Sequence, residues 1–65
     1  MGLRDLRVRA GVSVNRVAAE LGVTRIAVYQ WERGESVPSV KRLGQIARIY
    51  GCTVDEIVKE VEANA

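Results

Sequence analysis

Sixty-five residues suffice for one hydrophobic core and not for two, because so short a chain buries too small a share of its surface to divide it. Hydrophobic residues make up 48% of the chain, enough to fold without disulfides or a structural metal. The single cysteine, Cys52, and the absence of histidine exclude an internal disulfide, the usual zinc ligand sets and Cys-His catalysis. Cys52 is therefore expected to be a small packing residue. No apolar run reaches membrane-spanning length and no basic start leads into an apolar signal segment, so a cytoplasmic, unanchored domain is expected. The net charge of +2 conceals an asymmetry. Residues 1 to 53 hold nine basic against four acidic side chains, a balance of +5, while Asp55, Glu56, Glu60 and Glu62 crowd the end of the chain. That is the distribution of a polyanion binder, and also one that ordinary surface solvation produces.

In chain order the pattern predicts five helices and no strands. Leu3, Leu6 and Ala10 repeat at helical spacing and end at Gly11, a residue suited to a left-handed C-terminal cap. Ser13 is an N-cap for a second helix striped by Val14, Val17, Ala18 and Leu21 and stopped by Gly22. Thr24 caps a third helix from Arg25 to Arg33, closed by Gly34. Past the loop Glu35-Ser36-Val37-Pro38, Ser39 opens a fourth helix with Val40, Leu43, Ile46, Ala47 and Tyr50 on one face. Thr53 opens a fifth, striped by Val54, Ile57, Val58 and Val61, and Ala63 to Ala65 are expected to fray. No internal repeat or linker interrupts this sequence, so residues 1–65 are read as a single all-α domain.

The junction Gly22-Val23-Thr24 must reverse the chain sharply while keeping both helices on one core. Ala18 is small enough for close approach, Gly22 permits positive φ, and Val17, Leu21, Val23, Val28 and Trp31 are placed to point inward. The stretch from Ser13 to Arg33 thus reads as a helix-turn-helix, against the plainer reading of a helical hairpin that packs and does nothing more.

Over nearly its whole length the chain resembles the Cro and phage-repressor (XRE-like) family of helix-turn-helix proteins. The resemblance rests on Leu3-Arg4-Asp5-Leu6-Arg7 before Gly11, on Val17-Ala18-Ala19-Glu20-Leu21-Gly22-Val23-Thr24, and on Trp31-Glu32-Arg33-Gly34. Pro38-Ser39 and Gly51-Cys52-Thr53-Val54-Asp55-Glu56-Ile57 complete it. It implies a compact five-helix domain whose third helix enters the major groove of double-stranded DNA, usually as half of a dimer on a palindromic operator. It also implies a partly buried ion pair between Arg7 and Glu32. In one respect the chain departs from the family: where members commonly carry a phosphate-anchoring Gln at the start of helix two, it has Val14. Ser13 and the neighbouring backbone amides are left to grip phosphate there.

On a helical wheel the third helix turns Ile26, Tyr29, Gln30 and Arg33 away from Val28. Arg25 stands at the N-terminal end, the part of a recognition helix that reaches deepest toward base edges. Its fork suits guanine, the Gln30 amide suits adenine, Ile26 a thymine methyl, and Tyr29 a methyl or a phosphate. These four are the expected base contacts. Ser13, Thr24, Arg33, Lys41 and Arg42 are the expected phosphate contacts, which fix register without needing base-edge geometry. Arg4, Arg9 and Arg16 divide evenly between phosphate contact and solubility, and Trp31 reads as packing.

The competing reading from another class is a protein-interaction module, an antitoxin or coactivator piece that docks Ile26 and Tyr29 into a partner. An enzyme is not expected, since there is no histidine, glycine-rich phosphate loop or paired-carboxylate cleft. No cofactor, metal or small-molecule ligand is indicated. Weak homodimerisation is expected through Ile49, Val54, Val58 and Val61, with the alternative that all four fill the core of one chain. Repression is favoured over activation.

Overall fold

Hydroxyl side chains start four of the five helices. The computed structural model describes residues 2–64 and contains α1 (Leu3–Arg9), α2 (Val14–Leu21), α3 (Arg25–Arg33), α4 (Val40–Tyr50) and α5 (Val54–Asn64), with no strand among the described residues. Ser13, Thr24 and Ser39 hold extended backbone, and their hydroxyl oxygens accept the amides of Arg16, Ala27 and Arg42 at 3.1, 3.1 and 3.3 Å. Each bond satisfies one amide that the first helical turn leaves without a partner. At α5 the Thr53 hydroxyl accepts the Glu56 amide at 3.1 Å and meets the Glu56 carboxylate at 3.3 Å. The helix continues to Asn64, beyond the expected fraying at Ala63, and Ala65 lies outside the described residues.

Gly22, Gly34 and Gly51 cap the ends of α2, α3 and α4, and Gly22 matters most because it makes the turn between α2 and α3. Its φ of 70° lies in the left-handed region, where a Cβ is strained. The amide of the residue after it, Val23, then reaches back to the Ala18 carbonyl at 3.0 Å. The same reversal carries the Val12 amide to Arg7 at 3.2 Å and the Cys52 amide to Ala47 at 3.0 Å. This cap turns the side chain after the glycine back over the helix it has just ended. Val12 is buried, and Val23 and Cys52 pack against the core. Burial accordingly pushes the Cys52 thiol upward, with Glu56 adding and Arg9 opposing.

All five helices contribute to that core, from Leu3 and Leu6 of α1 through Val17, Val28 and Ile46 to Ile57 of α5. α2 packs on α3 and α4, and α5 closes the far side against α1, α3 and α4. Three residues depart from the expected apolar faces. Ala10 is exposed, because it caps α1 instead of completing a turn of it. Val40 is 85% exposed and Val54 44%. Each is the first residue of its helix, as the buried Leu3 and Val14 also are, so what packs on that first turn, and not helical spacing, decides its burial. Leu43, Ile46, Ala47 and Tyr50 carry the inner face of α4 without Val40.

Candidate nucleic-acid interface

The inner face of α3 is fixed by Val28 and Trp31, both buried, and by Glu32, whose side chain is 5% exposed. That anchorage turns the opposite face to solvent. Arg25 and Arg33 are exposed, Gln30 is half-buried, and Ile26 and Tyr29 are 65% and 45% exposed. Ile26, Tyr29, Gln30 and Arg33 form one outward stripe on a nine-residue helix, with Arg25 exposed at its N-terminal end. With Arg25 its chemistry combines cationic forks, an amide and two apolar groups, the kinds of group that can meet base edges and thymine methyls.

Around this stripe lie hydroxyls, cationic side chains and helix N-termini. The Thr24 and Ser13 hydroxyls accept their cap bonds and keep their own protons for donation. None of α2, α3 and α4 has an acidic residue in its first turn, whereas α5 has Asp55 and Glu56 there. The positive ends of the first three dipoles are thus left uncancelled by local carboxylates. Lys41 is exposed on the first turn of α4, and Arg33 is exposed with a 3.3 Å ion pair to Glu35. A surface pair of this kind holds weakly and yields readily to a phosphate. Arg16 pairs with Glu20 at 2.6 Å and Arg9 with Glu56 at 3.7 Å, all on the surface. Arg42 differs from the rest: it is half-buried, and its Nη1 donates to the Leu21 carbonyl. Nothing in the periodicity of α4 pointed to that contact.

Behind the stripe lies an ion pair that holds α3 to α1. The Arg7 Nε donates to Glu32 Oε2 at 2.6 Å and Nη2 to Oε1 at 3.5 Å, while Nη1 donates to the Val12 carbonyl at 3.0 Å. The hydrogen bond to Glu32 holds the Arg7 guanidinium still more firmly protonated than usual, against the opposing effect of burial. Tyr50 sits near this pair. Burial pushes its phenol up to about 12, with the Glu32 charge adding and the Arg7 charge opposing. A phenol raised in the folded state keeps its proton where the unfolded chain loses it. Stability from this group is therefore fully present below pH 10 and is lost as pH rises through about 12. The loss should approach about 2 kcal/mol. Comparing alkaline unfolding of the wild type and Tyr50→Phe checks this, since the phenylalanine variant should lack that part of the decline. Equal alkaline slopes in the two proteins would refute it.

Two short helices joined by a left-handed glycine, one locked into the core and turning a mixed cationic, amide and apolar face outward, define a helix-turn-helix domain. A family model described as helix-turn-helix matches residues 3–57, and the chain belongs to that family, of the phage-repressor, XRE-like type. The chain is similar to an HTH-type transcriptional regulatory protein so named in Pyrobaculum aerophilum, at 37% identity over 95% of this chain and 24% of that protein. It is 31% identical to the cryptic phage CTXphi transcriptional repressor RstR of Vibrio cholerae, over 95% of this chain and 56% of the repressor. With the HTH-type transcriptional activator BcrR of Enterococcus faecalis the identity is 30%, over 92% of this chain and 29% of the activator. The chain thus spans between about a quarter and just over half of the length of these relatives. No solved structure matches it significantly.

Proposed function

We propose that the chain is a single domain that binds double-stranded DNA sequence-specifically and regulates transcription, with α3 in the major groove. The observation that carries this reading is the outward stripe of Ile26, Tyr29 and Gln30, with Arg25 exposed at its N-terminal end, on a helix whose other face is locked into the core. Ser13, Thr24, Arg33 and Lys41 would hold the phosphates on either side. Membership of the helix-turn-helix family and the regulatory names of the relatives support it. Among those names are one repressor and one activator. We read the chain as a repressor, because occupying an operator is sufficient for repression, whereas activation needs a further surface for the transcription machinery. Such a protein acts in the cytoplasm, and no helix among the described residues is long and apolar enough to cross a membrane.

Selection of bound sequences from random duplex DNA tests the reading. Against the selected site, Arg25→Ala and Gln30→Ala should each lose discrimination at one base pair, by about 1 to 3 kcal/mol. Arg33→Ala should instead weaken all sequences alike and lower the salt slope by about one unit. Unchanged base preference in both of the first two variants would remove α3 from the groove. The exposure of Ile26 and Tyr29 also suits a protein partner. Salt separates the two, since binding to DNA weakens steeply with ionic strength and an apolar contact does not.

The reading extends to a homodimer on a palindromic operator, with half-site centres about 34 to 36 Å apart. Val54 is exposed, and Ile49, Val58 and Val61 are half-buried near the same end of the chain. Ile49 and Val61 also pack against the core of their own chain, so Val54 and Val58 are the residues best placed to meet a partner.

A further inference from the structure

We propose that Arg42 is a positioning residue for the helix-turn-helix, acting on α2 through its last carbonyl and not on DNA phosphate. The proposal rests on the DNA-binding reading above and assigns Arg42 a role within it. The final carbonyls of an α-helix have no partner inside the helix, and the dipole leaves that end partly negative. α1, α3 and α4 each carry an arginine in the last turn, but α2 has no basic residue there. The Gly22 cap directs both the Gly22 and Val23 amides to the Ala18 carbonyl, and neither reaches Leu21. Arg42 supplies what is missing from another helix. Its Nη1 donates to the Leu21 carbonyl and lies 3.5 Å from Gln45 Oε1, and its side chain is half-buried.

The origin of the clamp is as well defined as its target. The Arg42 amide is held by the Ser39 hydroxyl at 3.3 Å, so the stem leaves from a capped first turn of α4. One arginine thereby joins the start of α4 to the end of α2, immediately before the turn that launches α3. Leu21 is also buried in the core. A shift of its carbonyl therefore moves the turn and α3 relative to the rest of the domain, and with them the docking of Arg25 and Gln30. A guanidinium occupied in this way is drawn toward the protein, unlike Lys41, which is exposed one position earlier.

The test measures duplex binding as a function of salt for the wild type, Arg42→Gln and Lys41→Gln, on a selected site at a temperature where circular dichroism shows each protein folded. Folded Arg42→Gln should bind about tenfold more weakly, the effect of one lost charge-assisted hydrogen bond, with the salt slope of the wild type. The Gly22 and Val23 amide resonances should shift in the same variant without DNA. Lys41→Gln should lower the slope by about one unit and leave those resonances in place. A salt slope lowered by about one in Arg42→Gln would make it a phosphate contact and overturn the proposal. So would wild-type affinity in the folded variant, which would reduce the clamp to a contribution to stability. If Arg42→Gln does not fold, Arg42→Lys decides, because a phosphate contact asks only for charge whereas the clamp needs a nitrogen at the reach and angle of Nη1. Weakened binding by Arg42→Lys would then support the proposal, and wild-type affinity would overturn it. A wild type that selects no duplex sequence would defeat the DNA-binding reading and the positioning role with it, an outcome distinct from a wild type that binds and a variant that binds equally well.

Discussion

Replacing Glu32 by alanine should destabilise the domain by about 3 kcal/mol, because it strips a largely buried guanidinium of its carboxylate. Arg7 and Glu32 are 13% and 5% exposed and meet at 2.6 Å, close enough to full burial for the desolvation of the survivor to dominate the loss. Some water still reaches Arg7, and its bond to the Val12 carbonyl remains, which keeps the effect at the lower end of the range for buried pairs. For a domain of this size about 3 kcal/mol is a large part of the total stability, and the melting temperature should fall by at least about 12 °C. The double variant Arg7→Met/Glu32→Leu should recover much of the loss, since apolar groups of similar volume often replace a buried pair without penalty. The double-mutant cycle separates the pair from the rest of the site. A melting temperature for Glu32→Ala within about 2 °C of wild type would mean that the pair contributes nothing. DNA affinity should fall as well, because the pair fixes the end of α3 against α1, and the fall should follow the unfolded fraction when the variant is warmed.

The helices and their caps were legible because each is specified by its own few residues. Ser13, Thr24 and Ser39 before an apolar period of 3.6, and Gly11, Gly22, Gly34 and Gly51 after it, are local chemistry that tertiary packing has no reason to override. The outward stripe of α3 was legible for the same reason: once Val28 and Trp31 are assigned to the core, helical geometry places Ile26, Tyr29 and Arg33 opposite. Periodicity failed where the neighbouring elements mattered more than spacing. Val40 and Val54 have the spacing of core residues and face solvent, while Leu3 and Val14, at the same first position of their helices, are buried. Conversely Val12 lies in no helix and is buried. The signal for it was present in its position directly after a capping glycine, a place that points back at the core. The Arg42 clamp had no periodic signal, since it joins residues 21 positions apart. The lack of a basic residue in the last turn of α2 was its only trace in the sequence. The Arg7 and Glu32 pair, 25 positions apart, was likewise invisible to spacing and entered through family resemblance.

The largest expected effect of all is on assembly, and Val54→Asp is the variant that exposes it. If two copies bind a palindromic operator through their α5 ends, the second half-site is engaged within a tethered complex, and abolishing the contact should weaken operator binding by about 10² to 10⁴-fold. Val58 and Val61 are poorer probes, because both are half-buried and Val61 packs against the core, so a charge at either threatens the fold as well as the interface. Val54 is 44% exposed and is the first residue of α5, where a carboxylate is favoured by the helix dipole. Aspartate there should leave the monomer as stable as before. It adds a negative charge beside Asp55 and Glu56, so two copies brought together at this end would repel each other. The variant should therefore sediment as a monomer, keep its helical signal and melting temperature, and bind an isolated half-site with wild-type affinity while losing the palindrome. The loss should be confined to duplexes carrying both half-sites. Operator affinity and stoichiometry unchanged by Val54→Asp would place the dimer contact elsewhere. A wild type that binds the palindrome strictly one to one would show that the domain reads DNA as a monomer, with Ile49 and Val61 serving only the core of their own chain.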